Sequence, residues 1–150
     1  MSMAIATIAS NIADIDIGGV DIRGLDEIPD SFTARDCPAL CPEPVNFVTD
    51  FVVERDSYGS PSQSKKTARY TLNYTLFYMP VGASRYGLDR YGDMVEIAFA
   101  VLDAIIATDD LGGTVEFTPQ DTINFGVVLD ATGNSFQGCR ILLRVTEFIN

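Results

Sequence analysis

The chain contains no histidine and no tryptophan, and it has only three cysteines. Without histidine the commonest general base and metal ligand is missing, so neither a Ser-His-Asp nor a Cys-His catalytic arrangement can be built. The odd set Cys37, Cys41 and Cys139 does not suggest a disulfide framework. The N-terminal stretch MSMAIATIASNIADIDIGG places no basic residues ahead of its apolar positions, so no secretory signal is expected. Cys37 and Cys41 are each followed by proline, and the usual zinc spacings and four-ligand set are lacking. All three are expected to be free thiols that bind no metal and serve as small apolar side chains.

Positive charge is scarce as well: 10 basic against 21 acidic residues gives 10 − 21 = −11, which repels phosphate backbones and disfavours tight nucleic-acid binding. No apolar run approaches the roughly 20 residues that a membrane span requires. No Gly-rich phosphate loop of standard spacing occurs. These absences exclude the common hydrolase routes and leave no catalytic residue and no cofactor to nominate.

What is present is one ordinary globular domain over residues 1–150. A domain of this size buries roughly 70% of its unfolded surface. Ile5, Ile8, Ala9 and Ile12 recur at helical spacing and predict a short helix over Met3 to Ala13 within an N-terminal segment, 1–19. Residues 20–44 form a Pro-rich connection, in which Pro29, Pro38, Pro42 and Pro44 forbid a continuous helix and disfavour a central strand. A long connection of this kind in a compact domain points to assembly more than to chemistry.

Residues 45–150 hold the sheet and a long helix. Alternation predicts strands over Val45 to Arg55 and Thr67 to Met79, joined by the polar stretch Asp56 to Lys66 as a long hairpin. Leu88, Tyr91, Val95, Ala98, Leu102, Ile105 and Ile106 predict a helix over Leu88 to Ala107 with one apolar stripe. Thr114 to Thr118, Ile123 to Leu129 and Phe136 to Phe148 are the remaining strand patterns. The fold class expected is α+β: a largely antiparallel sheet with a long protruding hairpin and two helices packed on it.

Several clusters have simpler readings than chemistry. Asp89, Asp93 and Glu96 suit a solvated helix face near a helix N-terminus. Asp14-Ile15-Asp16-Ile17-Gly18 lacks the ligand positions of a calcium loop, and the sequon at Asn73-Tyr74-Thr75 falls inside a strand pattern. Tyr70, Tyr74 and Tyr78 share one strand face, where they are read either as interface residues or as half-buried sheet tyrosines. The hairpin gathers Arg55, Asp56, Tyr58, Lys65 and Lys66, concentrating scarce positive charge on an acidic protein. These five are the candidate partner contacts.

The order of a short helix, the connection IRGLDEIPDSFTARDCPALCPEP, a strand pair with a basic-tipped hairpin, a long helix opening near RYGLDRYGDMVEIAFAVLDAI and a closing meander resembles the tail terminator and neck proteins of long-tailed bacteriophages. Within it, Ile28-Pro29, Arg35, Pro38-Ala39-Leu40, Pro42, Pro44 and Phe47 carry the local likeness. The resemblance implies a structural virion protein, assembled in the host cytoplasm, that forms a homo-oligomeric ring, typically a hexamer. Such a ring caps the tail tube, ends its polymerisation and joins tail to head. Its implied partners are the tail tube protein and a head-side connector or stopper, with genome DNA passing through the channel unbound and no membrane involved. A head-completion or stopper protein is the neighbouring alternative. A non-viral cytosolic α+β domain, binding a small ligand between helix and sheet, is the alternative from another class.

Overall fold

The computed structural model describes residues 4–24, 27, 29–42, 53–58, 65–81, 87–108, 111, 113–119 and 123–149. The elements run α1 (Ile5–Ala13), β1 (Asp21–Ile22), β2 (Ala39–Pro42), β3 (Glu54–Tyr58), β4 (Lys65–Pro80), α2 (Gly87–Ile106), β5 (Val115–Pro119), β6 (Phe125–Leu129) and β7 (Ser135–Ile149). All seven strands share one sheet of order β1-β2-β4-β7-β5, with β3 also on β4 and β6 also on β7. Among the described residues only the short β1–β2 pairing is parallel. The chain is therefore an α+β protein with a mostly antiparallel sheet.

The spine of the sheet is the β4–β7 ladder, which runs from Lys66↔Ile149 to Pro80↔Phe136. Each spine strand carries two short neighbours on its outer edge. At one end β3 pairs Glu54–Tyr58 with the start of β4, and β5 pairs with the end of β7. At the other end β2 pairs with residues 74–77 of β4, and β6 pairs with the start of β7.

Alternation along the spine separates two faces. One face presents Tyr70, Tyr74 and Leu76 of β4 with Cys139, Ile141, Leu143 and Val145 of β7, all buried in the main core. Both helices supply the rest of that core: Ile8 and Ile12 from α1, and Ala98, Val101, Leu102 and Ile105 from α2. Each such aliphatic side chain contributes on the order of 1.5–3 kcal/mol when fully buried. This is the helix-covered face; the other is the open face.

The predicted stripe of α2 is rotated relative to the one that packs. Met94, Ala98, Val101, Leu102 and Ile105 are buried, whereas Tyr91 and Ile106 are each 43% exposed. The buried set follows i, i+4, i+7, i+8, i+11, which fits 3.6 residues per turn as well as the sequence stripe does but points in a direction turned around the helix axis from it. The tyrosine face is corrected too. Tyr70, Tyr74 and Tyr78 are 4%, 2% and 8% exposed, so they are core residues and not an interface.

The Pro-rich connection is more ordered than its prolines suggest, because β1 and β2 lie within it. The amide of Arg23 donates to the Leu40 carbonyl and that of Asp21 to the Pro38 carbonyl. Within a strand the N–H and C=O of one residue point the same way, and alternate residues agree. Leu40 and Pro42 thus face β1, while Ala39 and Cys41 face β4. The donor that Pro42 lacks falls beyond the end of β1, so the β2–β4 ladder loses no hydrogen bond to it. Ala39–Pro42 is buried throughout, and the expectation that these prolines disfavour a central strand is corrected on that ground.

One glycine is fixed by close approach. A shift in the β4–β7 register occurs between Phe77 and Met79, and a Cβ placed on Gly138 would lie 1.8 Å from the Leu76 carbonyl oxygen. Only glycine lets the two backbones meet at this bulge.

Candidate functional site

The five residues singled out on the hairpin fall on adjacent rungs of the β3–β4 ladder, with Tyr58↔Lys65, Ser57↔Lys66, Asp56↔Thr67 and Arg55↔Ala68 paired. The described strand covers Glu54–Tyr58 and so runs past the predicted end at Arg55, which makes Asp56 to Tyr58 and Lys65 to Lys66 rungs and not part of a loop. Residues 59–64, which link the two arms, and 43–52, most of the predicted Val45 to Arg55 strand, lie outside the described residues. From Lys66 onward β4 is also paired with β7, so this arm of the hairpin belongs to the sheet.

The charge on these arms is partly offset locally. Asp56 and Glu54 both reach Arg69 across the ladder, at exposed positions on the open face. Asp56 thus has an intramolecular cation beside it. Arg55 is exposed and Lys66 half-buried, and by register the two share the helix-covered side of the sheet. Exposed ion pairs of the Arg69 type contribute about 0–1 kcal/mol, so they set register more than stability.

The open face changes character along its length. Near β3 and β5 it is polar: Arg69, Thr71, Thr118 and Arg144 surround a shallow depression of about 420 Å³. Near β2 and β6 it carries a second core. Phe32, from the connection, stacks on Phe77 with centroids 4.6 Å apart, and Phe136 stands edge-on to Phe77 at 5.4 Å. Ala39 and Cys41 complete this buried cluster, with Val128 packed against it. Beside it opens a groove of about 560 Å³ lined by Phe32, Phe77, Val128 and Arg140 among others.

Asp130 holds the connection over that cluster. Its carboxylate accepts from the Phe32 amide at 3.3 Å, and from the amides of Thr132 at 3.0 Å and Asn134 at 2.8 Å. It also accepts from the Thr132 hydroxyl and the Asn134 amide group. Burial would raise its pKa, but the hydrogen bonds from Asn134, Thr132 and Phe32 together outweigh burial and hold the carboxyl below its ordinary value. The sequence marked Asp130 to Asn134 only as a turn; nothing in it linked that turn to Phe32, which is distant along the chain.

The helix-covered side has its own buried polar contact. Glu147 is 3% exposed and accepts a hydrogen bond from the Tyr70 hydroxyl and from the Ala4 amide at 2.9 Å. Ala4 is the N-cap of α1 and makes no side-chain cap hydrogen bond; its own amide, one of the unpaired donors at a helix start, is taken up by the carboxylate from β7, whose charge suits that end of the helix. Burial, followed by the bond to Glu147, raises the Tyr70 phenol far above its ordinary value.

The cysteines are free. Burial pushes Cys37 up to about 11 and Cys41 and Cys139 up to about 12, which makes them poor nucleophiles at neutral pH. Among the described residues no group of three Cys, Asp or Glu side chains could hold a metal ion.

Outward from the core, α2 presents Asp93, Glu96, Phe99, Asp103 and Ile106, all exposed. Asp93 and Glu96 accord with the solvated face read from the sequence; the side chain of Asp89 lies outside the described residues. Phe99, half exposed, was not singled out, although its place between acidic residues on the outward stripe could have marked it. No protein-family model matches the chain, and no curated protein matches it significantly.

Proposed function

We propose that this protein is a structural component of a phage neck, a tail terminator that assembles as a ring at the head-proximal end of the tail tube. The observation that carries this reading is the order of elements: a short helix, a connection crossing the sheet, a hairpin entering a long strand, a long helix, and a meander that closes on that strand. The acidic balance of −11 adds support, since a channel lined by carboxylates lets DNA slide without adhering. Within this reading Arg55, Lys66 and the hairpin they stand on are contacts to a neighbouring ring or tube subunit.

Negative-stain imaging of the purified protein tests the ring, and co-sedimentation with tube protein or with a head-side connector separates a terminator from a stopper. Closed rings that bind tube ends support the terminator; rings that bind only the connector support the stopper. A protein without rings that binds neither would refute both. A domain holding a small ligand between helix and sheet has less support, because none of the residues that line the larger of the two depressions belongs to a helix.

A further inference from the structure

The two broad faces of the subunit differ in a complementary way. In the helix layer, residues 4–20 and 91–108 carry Asp14, Asp16, Asp93, Glu96 and Asp103 and no lysine or arginine, while the first turn of α2 adds Asp89 and Arg90. On the open face, β7 presents Arg140, Leu142 and Arg144 in succession, the two arginines exposed and Leu142 half-buried. The outward stripe of α2 presents Glu96, Phe99 and Asp103, so each surface places an apolar side chain between two like charges, of opposite sign on the two surfaces.

The spacings agree. Seven residues of helix from Glu96 to Asp103 span about 10 Å at 1.5 Å per residue. Four residues of strand from Arg140 to Arg144 span about 13 Å at 3.3 Å per residue. Flexible side chains cover the difference. The arginines also stand beside the two depressions of the open face, Arg140 at the aromatic end and Arg144 at the polar end.

We infer that the Glu96-Phe99-Asp103 stripe of α2 docks on the Arg140-Leu142-Arg144 strip of a second copy of this chain. The contact rests on the ring reading above and specifies its interface. It joins two different surfaces, so it is heterologous, and repeated contacts of that kind close into a ring when the rotation allows. Charges at such a rim set register and exclude wrong pairings, while Phe99 against Leu142 supplies apolar burial.

Charge reversal tests this directly. Glu96→Arg with Asp103→Arg sets like charges against each other in self-association, as does Arg140→Glu with Arg144→Glu. Each double variant, checked for a wild-type circular dichroism spectrum, should self-associate about tenfold or more weakly in sedimentation and native mass spectrometry. An equimolar mixture of the two restores opposite charges at every contact and should reassemble with the variants alternating. Where a reversal does not fold, Glu96→Gln and Arg144→Gln serve instead, each expected to weaken association and its salt dependence. Wild-type rings that persist in both folded reversals, or a mixture that stays dissociated, overturn this interface while leaving the ring intact. A wild-type protein that stays monomeric removes the ring itself, and the docking with it.

Discussion

Gly138 shows how much one residue can decide without touching any ligand. With a Cβ 1.8 Å from a backbone oxygen, Gly138→Ala forces the two long strands apart at the bulge, and backbone has little freedom to yield. The expected cost is about 3 kcal/mol or more, read from urea denaturation; a loss below about 1 kcal/mol would mean that the strands separate there easily. Asp130 is a residue of the opposite kind, fixed by polar contacts. Its folded pKa lies below the ordinary 3.8, so its stabilising effect is complete above that value and is lost as pH falls through the lowered folded value. Asp130→Asn should therefore lower the thermal midpoint at pH 7, and the gap to wild type should narrow as the pH falls from about 4 toward 2. A gap that stays constant over that range would assign the effect to shape and not to charge. The thiols run the other way: raised to about 11 and 12, they favour the folded state fully below the ordinary 9.0 and less as pH climbs through the folded values.

At the scale of elements, the sequence was legible where one period dominated. The strand patterns of β4 and β7 alternate cleanly, and their registers place Tyr70 opposite Val145 and Tyr74 opposite Ile141, as a sheet with one deeply buried face requires. The helix over residues 87–106 was equally plain, but its buried face was not. Tyr91 and Ile106 fit an apolar stripe by type, whereas Met94 and Val101 fit the packed face by angle, and apolar residues all round the helix made the two hard to separate. β2 was illegible because its prolines argue against a strand, and only the direction of each carbonyl makes them harmless. The Phe32 cluster was hidden for another reason, since its partners come from the connection, β4 and β7, and no local period joins them. The attachment of α1 gives an element-scale test. Glu147→Ala removes the carboxylate that accepts from the Ala4 amide and the Tyr70 hydroxyl, and the loss of the Ala4 contact alone costs roughly 1–3 kcal/mol. Hydrogen exchange of α1 amides should accelerate more than that of α2 amides, and uniform acceleration would mean that α1 has no separate tether.

At the scale of the whole molecule, the candidate site was legible only as composition: a basic hairpin on an acidic chain, with the open-face arginines unremarked because they sit in a strand whose neighbours are apolar. The described arms carry Arg55, Lys65, Lys66 and Arg69 against Glu54 and Asp56, and the last two are committed to Arg69. In sequence these arms therefore carry a net charge of 4 − 2 = +2. If the hairpin reaches a neighbour in the ring, replacing residues 59–64, which carry no charge, by Asn-Gly between the Tyr58↔Lys65 rung should leave the monomer stable while shortening that reach. A two-residue Asn-Gly turn suits a hairpin, and shortening such a link changes closure entropy only slowly. The thermal midpoint should stay within about 5 °C of wild type, while ring formation or tail joining is lost. Joining in the unaltered protein should also weaken as salt rises, since exposed charges are screened beyond about 8 Å at physiological ionic strength. A shortened protein that still closes into rings and still joins tails, at any salt concentration, would remove the hairpin from the assembly surface and leave α2 and the open face to form it alone.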